Sequence, residues 1–231
     1  MGKYNFPITK LDLNSAHGKV LSQIRPGSTV LECGCASGYM TRYMKEQLGC
    51  QVYIVEQDGE DYAKALRYAT GGYNGDLDED CWDWFMTTQC MRDTRVDYVL
   101  FADVLEHLRN PLNAVKRAAG YMKMDGRMIV SIPNICHNDI ILKLIDDRWD
   151  YTQYGLLDST HVHFWGGNNV SDFFLEAGLR IESTGTVTIP TGRTEQLLGR
   201  LNEQQRKTAD ILKRIHPTGE VFQYVFTLKK E

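Results

Sequence analysis

The chain has 231 residues, with 26 Lys and Arg against 30 Asp and Glu, for a formal net charge of −4. Hydrophobic residues make up 42% and charged residues 24%, ordinary usage for one sizeable globular α/β core. The acidic balance and the lack of a basic stripe argue against a nucleic-acid partner or an anionic membrane, no apolar run is long enough to span a bilayer, and Met1-Gly2-Lys3-Tyr4-Asn5 lacks an apolar signal core, so the expected location is the cytoplasm.

Residues 1 to 25 read as a helical lead-in with Leu13, Val20, Leu21 and Ile24 on its apolar positions, closed by Pro26-Gly27. Next, the apolar run Val30-Leu31 ends in Glu32 and gives way to the small residues Cys33-Gly34-Cys35-Ala36-Ser37-Gly38. Glycine has no Cβ and tolerates positive φ, so such a loop lets backbone come close to a ligand. Tyr39, Tyr43, Met44 and Leu48 have the spacing of an amphipathic helix. A second strand, Gln51-Val52-Tyr53-Ile54-Val55, ends in Glu56, about 20 residues past the loop, where an acid can bind ribose hydroxyls. Strand, glycine loop, helix, strand and terminal acid in that order point to a nucleoside cofactor.

Further on, Asp78 to Phe85 mixes acids with aromatics. Its acids read as a solvated helix face, and Trp82, Trp84 and Phe85 read as core. Val96 to Phe101 reads as another strand. Strand and helix patterns alternate to about residue 132, which predicts a mostly parallel sheet. Residues 135 to 165 break the rhythm. Ile140, Ile141, Leu144 and Ile145 have helical spacing and lead into Arg148-Trp149-Asp150-Tyr151-Thr152-Gln153-Tyr154, read as a lid or substrate insertion. Asn169 to Ala177 reads as a helix ended by Gly178, and Arg180 to Ser183 and Val221 to Leu228 as the last two strands. Between them, residues 192 to 216 read as a surface helix with Leu197, Leu198, Leu201, Ile211 and Leu212 on its apolar positions. A dimer contact there stays open, so the chain is expected to be a monomer or homodimer.

A dinucleotide loop reads Gly-x-Gly-x-x-Gly, whereas the register here is Gly34-x-Ala36-x-Gly38 behind Glu32. That register resembles motif I of class I S-adenosylmethionine (SAM) methyltransferases, with Ala36 in place of the middle glycine. The resemblance extends along the chain. Asn74-Gly75-Asp76-Leu77 is similar to the family's loop after the third strand. Asp103-Val104-Leu105-Glu106-His107-Leu108-Arg109-Asn110-Pro111 is similar to the "D-V-L-E-H-L-x-x-P" segment of a bacterial small-molecule group. Ser131-Ile132-Pro133-Asn134 resembles that group's "S-I-P-N" exit from the fifth strand. Gly155-Leu156-Leu157-Asp158-Ser159-Thr160-His161-Val162-His163-Phe164 resembles its "G-L-L-D-x-T-H-x-x-F" element. The match covers about residues 28 to 185.

The resemblance implies one Rossmann-like domain over residues 1–231. Its sheet would have seven strands, mostly parallel, with an antiparallel last strand and helices on both faces. SAM would be the cofactor and S-adenosylhomocysteine the product. It further implies that Glu32, Gly34, Cys35 and Gly38 line the methionine and ribose side and that Glu56 binds the ribose diol beside Gln57. Asp76 would reach the adenine with Leu77 packing nearby, and Ala102 and Asp103 would lie by the methionine tail. The acceptor implied is a small molecule, methylated at a hydroxyl of a sugar, quinone-like or other metabolite. SAM binding without turnover, or methylation of a nitrogen, stays open.

Acceptor-side residues should come from the ends of the fourth and fifth strands and from the insertion. His107 reads equally as catalytic or as structural. His137, just past Pro133-Asn134, could face the acceptor. Asp158, His161 and His163 form the densest polar cluster, since His titrates nearest neutral pH. They could tie the insertion to the domain, Asp158 could orient His161 as a general base, or the three could ligate a metal. The six cysteines (Cys33, Cys35, Cys50, Cys81, Cys90 and Cys136) form no Cys-x-x-Cys pair, no zinc-like spacing is evident, and no metal is expected.

Overall fold

Seven strands make one sheet: β1 (Thr29–Cys33), β2 (Gln51–Glu56), β3 (Gly71–Asn74), β4 (Val96–Ala102), β5 (Met122–Pro133), β6 (Leu179–Thr188) and β7 (Val221–Lys230). Their order is β3-β2-β1-β4-β5-β7-β6. β1 to β5 run parallel, and β7 is antiparallel to both of its neighbours. From β1 the chain moves outward to β2 and β3, then crosses to β4 and β5 on the other side. That reversal opens a crevice at the carboxyl ends of β1 and β4. This computed structural model describes residues 12–192 and 202–231. The start of the lead-in, and Leu197, Leu198 and Leu201 of the expected surface helix, lie outside the described residues.

The central strands are largely apolar because both faces of the sheet are covered. Successive side chains alternate between faces. Leu31, Val55, Val99, Phe101 and Val130 join one core cluster, which Phe174 of helix Asn169–Glu176 completes. Val30, Val52, Ile54, Leu100 and Ile129 join the other, under α1 (Ala16–Leu21) and α2 (Tyr39–Leu48). α3 (Gly59–Ala65) starts at Asp58, whose Oδ1 accepts from the N–H groups of Glu60 and Asp61, both at 2.9 Å. α4 (Cys81–Phe85) continues as a π-helical turn, Met86–Cys90. α5 (Pro111–Tyr121) starts on Asn110, with Pro111 where a missing N–H does no harm. No described helix is long and apolar enough to cross a membrane.

Three expectations shift. Trp82 is fully buried and Phe85 packs on the core, but Trp84 is 64% exposed, because a short helix presents neighbouring aromatics to different sides. β6 runs to Thr188, well past Ser183, because β7 pairs with it along that whole length. α6 (Asn138–Ile145) buries Ile140 and Leu142 and leaves Leu144 and Ile145 exposed. Leu142 packs on Ala209 and Leu212 of the helix Glu203–Ile215, so the described part of the 192–216 segment lies against the insertion.

Candidate functional site

The carboxyl ends of β1, β2 and β4 open onto a cavity of about 600 Å³. Its floor is the turn from β1 into α2. Gly34, Ala36 and Gly38 all have positive φ, at 73°, 46° and 79°. A Cβ at Gly34 would fall 2.6 Å from Val104 Cγ2, and one at Gly38 would fall 2.5 Å from Ala65 Cα. Both positions therefore need glycine for backbone shape and for close packing. Ala36 bears the strain of a left-handed residue with the smallest side chain that has a Cβ.

Two glutamates anchor the turn. The Glu56 carboxylate accepts from Ala36 N at 2.8 Å and from Asp58 N at 2.9 Å, tying the end of β2 to the loop after β1. Glu32 is 1% exposed; Thr41 Oγ1 donates to its Oε2 at 2.6 Å, and its Oε1 has no partner. Burial, and secondarily the Glu56 charge, push the Glu32 carboxyl up to about 8. Such a buried acid ionises when a cation arrives to compensate it.

The expected cofactor residues Glu32, Gly34, Cys35, Glu56, Gln57, Asp76, Leu77, Ala102 and Asp103 all line the cavity. Gly38 does not, and acts one step back as the residue that starts α2. Asp76 Oδ1 accepts from Asp78 N at 2.9 Å, and its other oxygen lies 3.9 Å from Arg109 Nη2. Asp103 has φ of 57°. Its Oδ1 accepts from Ser131 Oγ at 2.7 Å and from Gln223 Nε2. Its Oδ2 lies 3.7 Å from Nε2 of His17, a wall residue contributed by α1 that no motif marks. Burial lowers the His17 pKa, opposed by Asp103.

On the other side the wall is built by His107, Arg109 and Asp158. His107 sits in the 3₁₀ turn Leu105–His107 that follows β4. The insertion is pinned to this turn: Val162 N and His163 N donate to the Glu106 carbonyl at 2.8 and 3.1 Å. Thr160 Oγ1 donates to Asp158 Oδ1 at 2.7 Å and lies 3.0 Å from His107 Nδ1, whose second neighbour is the Thr160 carbonyl at 3.3 Å. A carbonyl only accepts, and the threonine proton is already given to Asp158. Nδ1 therefore carries a hydrogen, so in the neutral ring the lone pair is on Nε2.

Asp158 Oδ1 accepts from Thr160 N and Oγ1, and through Thr160 it is linked to His107. His161 is 8% exposed and stands outside the cavity wall, its ring edge-on to His107 with centroids 4.8 Å apart. Burial lowers its pKa, with a further push from His107. His137 is fully buried and away from the cavity. Its Nδ1 accepts from Asp139 N at 3.2 Å at the start of α6, and Nε2 reaches Ile189 O at 2.9 Å. His163 stacks on Trp165 and lies 3.4 Å from the Arg109 carbonyl. Glu106, which no sequence argument singled out as a site residue, is 1% exposed with Oε2 unpartnered. Burial first, then Asp103 and Asp158, hold its carboxyl well above the usual range.

A family model described as Methyltransferase domain matches residues 10–184. Among curated proteins, the chain is 28% identical over 137 residues to Probable (S)-tetrahydroprotoberberine N-methyltransferase 2 of Papaver bracteatum. That stretch covers 58% of this chain and only 37% of the relative. Among solved structures, a SAM-dependent methyltransferase from Archaeoglobus fulgidus superposes with a TM-score of 0.63 at 14% identity, covering 94% of this chain and 93% of the other. The 1,6-didemethyltoxoflavin-N1-methyltransferase of Burkholderia thailandensis, solved with its substrate and S-adenosylhomocysteine, gives 0.56 at 14% identity, covering 94% and 79%. At these identities the structural likeness speaks to fold alone.

Proposed function

The chain belongs to the Methyltransferase domain family, and on that premise we propose that it transfers the methyl group of SAM to a hydroxyl of a small-molecule acceptor. The observation that carries the cofactor reading is Glu32, a buried acid with an uncommitted oxygen in the wall of a cavity that also presents Glu56. An ammonium group would give Glu32 its missing partner. Each oxygen of Glu56 accepts one backbone N–H and retains lone-pair capacity for ribose hydroxyls. Gln57, Asp76 and Leu77 would hold the adenine, and Ala102 and Asp103 the amino-acid tail.

When bound, SAM supplies an electrophilic methyl on a sulfonium, so the chain's task is to align the acceptor and manage its proton. His107 is the side chain we assign to the acceptor. Its Nε2 lone pair is fixed by the Thr160–Asp158 relay on its opposite nitrogen. The insertion, residues 135 to 165, would cover the acceptor through Asp158. His161 supports His107 from behind. An oxygen acceptor is favoured over nitrogen because a hydroxyl must lose a proton, and the wall presents a fixed basic nitrogen for that task.

Calorimetric titration of the full chain with S-adenosylhomocysteine and with NAD tests the cofactor. Saturable binding of the former, and much weaker binding of the latter, is the expected result. Tight NAD binding without a response to S-adenosylhomocysteine would overturn it. A panel of hydroxylated and amine acceptors, followed by release of S-adenosylhomocysteine, tests the acceptor; turnover confined to amines would overturn the oxygen assignment.

A further inference from the structure

Glu106 and His107 lie in the turn after β4, and His161 comes from the insertion. A donor atom from each of the three lies within 4.8 Å of those of the other two. Two of the residues are almost fully buried, and each holds an atom without a hydrogen-bond partner, Glu106 Oε2 and His161 Nδ1. A buried polar atom left unpaired destabilises the fold, more so if charged. A carboxylate oxygen and an imidazole lone pair are both acceptors, and a cation placed between these residues satisfies both. The third residue is prepared in the same sense. His107 Nδ1 is held by Thr160 and, through it, by Asp158, leaving Nε2 as the ring's candidate donor atom. An imidazole whose far nitrogen donates to a carbonyl or a carboxylate-linked group is the arrangement found behind metal-binding histidines.

We propose that Glu106, His107 and His161 bind a divalent transition-metal ion beside the cavity, at the part of its wall that His107 forms. Two imidazoles and one carboxylate suit such an ion better than the hard cations, which prefer an all-oxygen shell. Three protein donors leave coordination positions open for water or for an acceptor oxygen. Asp103 and Asp158, close enough to act electrostatically on Glu106, add negative charge around it. The ion's use in catalysis rests on the methyltransferase reading. An acceptor with adjacent hydroxyls would complete the coordination shell, and the bound hydroxyl would lose its proton more readily. His107 then acts through the ion rather than as a lone base. Binding of the ion itself does not depend on that reading.

The test titrates Mg²⁺, Mn²⁺ and Co²⁺ separately into the metal-stripped full chain, by calorimetry and, for Co²⁺, by visible absorption. One ion per chain is expected, with affinity rising from Mg²⁺ to Mn²⁺ to Co²⁺. His107→Ala, at a partly exposed position, and the isosteric Glu106→Gln should each weaken Co²⁺ binding by at least ~10- to 100-fold, the range lost when an outer partner of a metal ligand is removed. S-adenosylhomocysteine affinity in the same samples reports that the variants are folded; His161→Asn replaces either variant that fails this check. No saturable Co²⁺ binding to the wild-type chain, or binding undiminished in two folded variants, overturns the proposal. Failure of the wild-type chain to bind S-adenosylhomocysteine would instead overturn the methyltransferase reading and leave the Co²⁺ result standing.

Discussion

The two walls of the cavity are built on different principles. The cofactor wall hangs on consecutive strand ends, where Glu32 and Glu56 are held by β1 and β2, Glu56 is tied to the glycine turn by the Ala36 N–H, and Glu32 is held by the Thr41 hydroxyl. The acceptor wall is assembled from a 3₁₀ turn and a long insertion whose contacts join residues 53 apart in sequence, as between His107 and Thr160. A wall made of strand ends is rigid and can be read from a short stretch of sequence. A wall made of loops becomes legible only after folding, and it is where specificity can vary without disturbing the sheet.

The comparison predicts that the walls fail separately, and the largest separation should come from His107. His107→Ala should lower turnover on the true acceptor by roughly 10²- to 10⁴-fold, the range for loss of acid–base help. S-adenosylhomocysteine affinity should stay near the wild-type value. A parallel fall in cofactor affinity, measured by calorimetry, would mean that the two walls are one unit. Gly38→Val comes next. It forces a β-branched residue into a left-handed conformation and sets its Cβ against Ala65, where 2.5 Å to Cα leaves no room. Strain and overpacking together should cost about 2–4 kcal/mol of stability, read from urea denaturation. A wild-type midpoint would show that α2 and α3 can move apart freely.

Glu56→Ala sharpens the cofactor side. Losing charge-assisted hydrogen bonds of roughly 1.5–3 kcal/mol should weaken S-adenosylhomocysteine by on the order of tenfold to a hundredfold. Part of that loss belongs to the loosened Ala36 and Asp58 N–H groups, so Glu56→Gln, which keeps an acceptor oxygen, should recover some of it. Equal affinity in wild type and Glu56→Ala would make Glu56 a brace for the loop and nothing more.

The smallest effect is a pH signature at Glu32. Its folded pKa of about 8 lies above the unfolded value of 4.5. The folded chain therefore holds a proton that the unfolded chain has lost, and Glu32 makes stability fall as pH rises between those values. A bound ammonium reverses the preference. Binding of S-adenosylhomocysteine near neutral pH should release a proton and tighten as pH approaches about 8. Calorimetry in buffers of different ionisation enthalpy reads this directly, and a buffer-independent heat in both wild type and Glu32→Gln would remove Glu32 from the ammonium site.

The same asymmetry governs what could be read in the chain. Strands β1, β2 and β4 are short apolar runs bounded by turn residues, and Glu32 and Glu56 stand at or next to their ends, so local pattern located them. β6 was read short because its exposed outer half, Glu182 to Thr188, has little apolar content; pairing with β7 supplies what local pattern lacks. Asp158 was expected to orient a histidine. The structure links it through Thr160 to His107, a partner distant in sequence, while spacing along the chain points to His161. His137 looked chemically promising because it follows the fifth strand, yet it is spent on starting α6 and on holding Ile189. Glu106 carries no local signal, since its burial depends on the insertion closing over it.

The place of β7 has a consequence for how the chain is made. It is the last of the seven strands in chain order, yet it lies between β5 and β6, and among the described residues β6 pairs with no other strand. Translation delivers the chain N-terminus first. The glycine turn, Glu32 and Glu56 can settle while the ribosome is still at work. Residues of β6, by contrast, emerge with every backbone N–H and C=O of that strand lacking a sheet partner, and Gln223 is not yet present to hold Asp103. The nascent chain therefore carries an open β5 edge until its final strand slides in, and that interval is when another nascent chain could take the place of β7.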